Sequence, residues 1–470
     1  MVEPHAGNFA LNIDSQLTQT LDSLVTRSGF KAPRWSSAIA DRYALDLSPQ
    51  WCEWFDDFSS QAVCEGEFCE PVHPEILLDE TPEVIWPGLM PPDFLPLLGN
   101  TLGDWLCGRV GPDNTITEVV HWYHGGGDCL PFGDTMAEAI VYDALASRFP
   151  GRERGLAIPA KSPTVPRPHE IAVTTAIRWA LRHLPAPIAD VFDEDFPVQA
   201  TGDRLLDHGI AEVAVRCDLS LAALDNEIRR RMTPQLAAML DARWDQDVVQ
   251  WMFDPSHIPE SSLQTLAKQW NLPLEKWKNQ DWDLAAEHCR RIAARRHDLA
   301  WVHDVLGWSA QRKGDIDGAI GYYGRGAMAS LFTDQSVRFR THFDNDRVCK
   351  FSVARLVDLD AADRLDDQYV SRLLLATSPA DIDMTGWRDR VCQYWIDQAD
   401  LTAGGVDVDS AARRYDLIYR AGWDVGCDSI SRYGALLGEL ADSAARAGQV
   451  ARAELAKTHR ECLRGRYLIG

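Results

Sequence analysis

No uninterrupted apolar run of about 18 residues occurs in the 470-residue chain, so no transmembrane helix is expected. The opening MVEPHAGNFALNID lacks a basic segment leading into an apolar one, so no secretory signal is expected. Cationic side chains are scarce at the front. Residues 1–150 hold 6 Lys+Arg against 23 Asp+Glu, a net of −17. Residues 151–470 hold 41 against 47, a net of −6. A surface as negative as the first third repels nucleic acid and anionic lipid and favours a basic partner. Several catalytic signatures are also missing. There is no Gly-x4-Gly-Lys-Ser/Thr loop, no Gly-x-Ser-x-Gly elbow and no His-Glu-x-x-His pair.

What is present reads as a soluble globular protein, 46% hydrophobic and 25% charged. A chain of this length exceeds one ordinary core, so two regions are expected. Eleven scattered cysteines, an odd number, point to reduced thiols and a cytoplasmic location. The 17 tryptophans are read chiefly as core.

Leu17, Leu21 and Leu24 within residues 10–30 have helical spacing. Residues 48–60 predict a second short helix, with Ser48 as N-cap and Pro49 at the first helical position. The acidic stretch that follows carries prolines 71, 74, 82, 87, 91 and 92, which predict irregular structure. From Asp104, DWLCGRV, the turn GPDN and TITEVVHWY predict a β-hairpin. Thr135 and Glu138 form a capping box before a helix whose apolar face is Met136, Ile140, Ala144 and Leu145.

The expected organisation is an α+β domain over 1–150, with a twisted sheet and flanking helices. A linker with prolines 159, 163, 166 and 168 follows over 151–169, and an all-α domain over 170–470. Leu306, Gly307, Ala310, Gly314, Ala319 and Tyr323 follow the spacing of a tetratricopeptide helix pair. Gly448 and Ala453 repeat the Gly-x4-Ala offset, so the helical domain is expected to be TPR-like.

The stretch EVVHWYHGGGD, Glu118–Asp128, raises a metal question. His121, His124 and Asp128 could meet only if the glycines fold the chain back, because strand positions three apart face opposite sides. A sheet corner, with Val120 and Trp122 inward and His121 and Tyr123 on the other face, is the simpler reading. Cys52, Cys64, Cys69 and His73 have no standard zinc spacing. The adjacent carboxylates Asp56 and Asp57 diverge on a helix and cannot flank one bond. Neither cofactor nor metal is expected.

The order PPDFLPLLGNTLGDWLCGRV, hairpin, EVVHWYHGGGD, helix resembles the SUKH superfamily over roughly residues 35–150. It carries a Pro-rich lead-in, Gly99-Asn100 and Gly103-Asp104, a strand with Cys107, and a strand ending in aromatic and His. That superfamily includes yeast cell-wall-synthesis regulators and many bacterial toxin-immunity proteins. The resemblance implies a twisted sheet with a concave partner-binding face and a binding role rather than catalysis. The partner it implies is a toxin, often a nuclease, and a basic one would suit the charge count.

The expected function is therefore non-catalytic protein binding, with immunity against a basic toxin as its specific form. Candidate contact residues are the acidic Asp56, Asp57, Glu65, Glu67 and Glu70, and the hairpin residues Glu118, His121, Tyr123, His124 and Asp128. Neither direct nucleic-acid binding nor membrane insertion is expected. The helical region, about 300 residues, has no counterpart in a simple immunity protein and raises a second reading, a regulatory scaffold.

Overall fold

The computed structural model describes residues 34–59, 62–64, 66–146, 174–184, 286, 289–290, 292–333, 350–361, 364–365, 369–370, 384–402, 407–427 and 429–467. The helix expected within 10–30 and the linker 151–169 lie outside the described residues.

Five strands form one antiparallel sheet in sequence order: β1 (Glu70–Pro71), β2 (Phe94–Gly99), β3 (Trp105–Val110), β4 (Ile116–Trp122) and β5 (Cys129–Gly133). The expected hairpin is β3–β4. Gly111 N donates to Thr115 O at 2.8 Å, and Asn114 takes the left-handed φ of 64° that asparagine tolerates. Trp105 pairs with Trp122 and Cys107 with Val120.

Strand β2 gives no alternating signal because every residue in it is buried. It also contains Pro96, beside a register shift that accommodates the missing ladder donor. The Pro-rich stretch is less irregular than expected. It holds β1 and a short helix, with Pro74 at the first helical position and His73 accepting from Glu75 N.

The helices around the sheet are α1 (Trp35–Tyr43), α2 (Pro49–Glu53, continuing into a π-helical turn at Trp54–Phe58), α3 (Pro74–Leu78), α4 (Met136–Ala146) and α5 (Thr175–His183). The capping box forms at α4. Thr135 Oγ1 accepts from Glu138 N, and Glu138 Oε2 accepts from Asp134 N. On one side of the sheet Leu97, Leu106, Val119 and Phe132 pack with Tyr43, Trp54, Phe55, Ile140 and Trp179. Trp179 lies on α5, beyond the Pro-rich stretch. The core of the sheet thus draws on residues from both sides of 151–169.

The other half contains α6 (Ala300–Arg312), α7 (Ile316–Met328), α8 (Phe351–Asp358), α9 (Met384–Leu401), α10 (Val408–Trp423), α11 (Ile430–Arg446) and α12 (Val450–Tyr467). Its core is rich in aromatic side chains, among them Trp301, Trp308, Trp395 and Trp423. Two of its hairpins close with the same turn. Gly314 (φ 78°) and Gly448 (φ 74°) take left-handed backbone after α6 and α11. Asp315 N then donates back to Ala310 O, as Gln449 N does to Ala444 O. Ala319 and Ala453, five residues after each glycine, are buried where the paired helices approach. The two Gly-x4-Ala segments therefore share one geometry. Gly307 is required by packing, since a Cβ there would stand 2.5 Å from the Tyr323 ring.

The two halves are interleaved. Ala451 and Leu455 of α12 belong to the core of the sheet. Arg452 Nε donates to Val110 O at 2.9 Å, and Tyr419 OH to Asp93 Oδ1 at 3.1 Å. The second sheet face, with Phe94, Cys107, Val120 and Trp122, is likewise buried. Trp86 stands against Trp122 there, and Arg466 of α12 lies over Trp86.

His459 of α12 is fully buried. Burial holds its imidazole down at about 4, against the opposing pull of the Phe94 backbone and Asp93, with Arg466 adding to the depression. Unfolded histidine titrates near about 6.5. The neutral ring therefore contributes stability that is present above 6.5 and lost as pH falls toward 4. A His459→Met chain is expected to lose less stability over that window than the wild type. Urea midpoints measured across it check this, and equal acid slopes in the two chains would refute it.

Candidate functional site: a carboxylate–histidine corner

The geometry centres on Asp104, at the start of β3. Asn100 Oδ1 accepts from the backbone N–H groups of Leu102 (3.0 Å) and Asp104 (2.9 Å), which folds the turn before the strand. Gly103 completes that turn with φ 88°. Asp104 Oδ1 accepts from His124 N at 2.9 Å. Its carboxylate also lies 3.8 Å from His121 Nε2 and 3.6 Å from His124 Nδ1. Glu67 is drawn in by Asn100, whose Nδ2 donates to Glu67 Oε1 at 3.1 Å.

His121 is held by aromatic rings. It stacks on Tyr123 with centroids 3.7 Å apart, and Phe68 and Phe132 meet it edge-on at 4.7 and 5.7 Å. Burial opposes ionisation of Asp104. The His121 side chain, the His124 N–H and Asn100 outweigh it and bring the carboxyl below its ordinary range.

The triple glycine is a corner against the helical half. Tyr123 N donates to Asp128 O, and Gly127 N to Tyr123 O, each at 2.8 Å. Gly127 has φ 77°, and a Cβ there would stand 3.3 Å from both Leu89 O and the Phe332 ring. EVVHWYHGGGD is thus where sheet and helices meet.

The expected contact residues separate into two groups. Asp57, Glu70 and His124 are exposed. Tyr123 is half-buried beneath His121. His121 and Asp128 are 2% and 1% exposed, which removes both from the accessible surface and corrects that expectation. Asp56 is engaged internally, accepting from Ser36 N at 2.7 Å and Ser36 Oγ at 2.8 Å. Glu67 is half-buried and accepts from Asn100 Nδ2 at 3.1 Å. Glu118 is drawn inward by Arg109 and Arg296, the latter also paired with Asp298. Glu65 lies outside the described residues.

Asp128 is not part of the ligand cluster found among the described residues, so the alternative His121/His124/Asp128 grouping gives way to one centred on Asp104. Glu67, Asp104 and His121 bring ligand atoms within 4.8 Å of one another, and Cys52, Cys64, Cys69 and His73 form no such group. Sequence reasoning passed over Asp104 as a site residue, although the hairpin register contains the signal. Trp105 pairs with Trp122, so Asp104 lies one step further along, on the same sheet side as His121. With this geometry established, comparison with known proteins finds no family model, curated protein or solved structure that matches the chain.

Proposed function

We propose that this chain is a non-catalytic binding protein whose acidic, sheet-bearing half captures a basic protein. One observation carries the reading. Glu70, Glu75, Asp79, Glu80 and Glu83 are all exposed along β1, α3 and the following loop. Among the described residues none of the five forms a salt bridge with a lysine or arginine; the one contact is His73 with Glu75 at 4.0 Å. Residues 34–146 carry 20 Asp+Glu against 3 Lys+Arg, so the margin is strongly negative; Arg466 of α12 reaches the carbonyls of Pro82 and Glu83 but forms no salt bridge with the five carboxylates. Such a field speeds encounter with a basic protein and makes capture sensitive to salt. Neutralisation of a basic toxin is the specific form, supported by the SUKH resemblance alone.

A second reading, a regulatory scaffold working through a TPR-like helical half, is favoured by the α9–α10 corner. Leu401 and Val408 there are 78% and 59% exposed.

The test is a low-salt pull-down with the full chain, eluted by rising salt, beside a chain with the five acids reversed to lysine. The reversed chain is expected to keep its thermal stability and to lose the salt-eluted basic protein. Equal recovery of that protein by both chains would sink the electrostatic reading. Recovery abolished instead by Leu401→Ser with Val408→Ser would favour the scaffold.

A further inference from the structure

We propose that Glu67, Asp104, His121 and His124 form a binding site for a first-row divalent transition-metal ion, zinc being the natural probe. This departs from the expectation of no metal, and it is independent of the acidic margin. Three of the four already present donor atoms within 4.8 Å of one another. His124 lies outside that 4.8 Å group but would add a fourth donor from its solvent side, its Nδ1 3.6 Å from Asp104 Oδ1. The Asp104–His121 and Asp104–His124 separations of 3.8 and 3.6 Å are too long for good hydrogen bonds. The first is to Oδ2 and the second to Oδ1, and each taken singly is close to the spacing of roughly 3.4 Å between two donors bound tetrahedrally to one zinc ion at about 2.0–2.1 Å.

The donors come from three places in the chain: the loop before β1, the start of β3 and the end of β4 with its following turn. Groups outside the donor set hold them in place. Asn100 bridges two, donating from Nδ2 to Glu67 and accepting at Oδ1 from the Asp104 N–H. The Glu67 N–H is itself fixed on Asp143 Oδ1 at 3.2 Å. Tyr123, Phe68 and Phe132 set the plane of the His121 ring. Surrounding groups that orient ligands in this way commonly accompany metal sites.

The donor chemistry narrows the ion. Two carboxylates and two imidazoles form a mixed nitrogen–oxygen set without thiolate. It suits zinc, manganese, iron(II) or cobalt(II), whereas calcium and magnesium prefer oxygen throughout. The two carboxylates would balance a divalent charge. The His124 side chain, 43% exposed, opens the cluster to solvent, and Gly103 places no side chain beside it. A bound ion would tie the loop at Glu67 to the β3–β4 hairpin and stabilise the fold by mass action.

The test uses the full chain, stripped with chelator and titrated with zinc chloride by calorimetry, then with cobalt(II) by visible absorption. One equivalent of each is expected, with a cobalt d–d spectrum showing nitrogen–oxygen ligation and a rise in Tm on adding zinc. Asp104→Asn and Glu67→Gln are each expected to weaken binding by roughly 100-fold or more. Both replacements are close in shape, and circular dichroism confirms that the variants are folded. His124→Ala, at an exposed ring, provides a further variant with little demand on folding and is expected to alter the cobalt spectrum. Failure of the folded wild-type chain to bind a stoichiometric equivalent would overturn the proposal. So would affinity and spectra unchanged in all three variants, which would place the ion elsewhere.

Discussion

Replacing Lys350 with methionine is expected to cost the fold about 3–5 kcal/mol, measured as a shift in the urea midpoint of the full chain. The Lys350 ammonium is 1% exposed and has a separate acceptor for each of its three protons. These are Ala327 O and Ala329 O at 2.8 Å and Asp424 Oδ1 at 2.7 Å. The two alanine carbonyls lie at the C-terminal end of α7, where helical carbonyls run out of partners. The other Asp424 oxygen accepts from Tyr369 OH and from Trp395 Nε1. Burial and the Asp424 charge hold the Tyr369 phenol well above its ordinary range, so it stays a donor. One ion pair therefore joins α7, the start of α8, Tyr369, α9 and the end of α10.

Methionine fills the volume but leaves Asp424 charged and without its cation in a region closed to water. Removing both charges together, as Lys350→Met with Asp424→Leu, is expected to recover a good part of the loss, because the desolvation penalty is then absent. A single variant within about 0.5 kcal/mol of wild type would show that solvent reaches the pair.

The second large effect concerns α12. A chain ending at Gly448 is expected to lose cooperative folding of the sheet as well as the last helix. Ala451 and Leu455 leave the core of the sheet. The Arg452 hydrogen bond to Val110 O and the Ala451 N–H bond to Asn114 Oδ1 go with them. His459 and the Cys462 contact to Pro82 O are also removed. Hydrogen exchange is the measurement, with the amides of β2, β3 and β4 expected to lose their protection. Full protection of β2–β4 in the shortened chain would show that the sheet stands alone. In the full-length chain Leu455→Ala is the milder form of the same test, expected to cost about 2–5 kcal/mol.

The β3–β4 hairpin was legible because its chemistry is local. GPDN marks the turn, and the residues on either side have strand character. The α4 cap was legible for the same reason, being decided by Thr135 and Glu138 alone. Strand β2 was not, because burial on both faces erases alternation and Pro96 argues against a strand. Helix α3 was masked by prolines, one of which stands at the position a helix accepts.

Half of the candidate metal site could have been counted from the hairpin register, which sets Asp104 beside His121. Glu67 could not, since a side-chain bridge through Asn100 brings it there and no periodicity reports such a bridge. The burial of His121 and Asp128 was hidden for a related reason. Phe68 and Phe132 close on His121, and Phe332 and Leu89 on Gly127 beside Asp128, all from outside the β3–β4 hairpin. The charge asymmetry survives, but its exposed part shifts from Asp56 and Glu67 toward Glu70, Glu75, Asp79, Glu80 and Glu83.

The bond between Arg452 and Val110 spans 342 residues. A ribosome adds about 5–20 residues per second, so the sheet emerges tens of seconds before the helix that completes its core. During that interval the acidic half is a nascent chain with an open hydrophobic flank. Its many carboxylates then act as a solubilising tag, keeping neighbouring nascent copies apart by mutual repulsion until translation delivers the last helix.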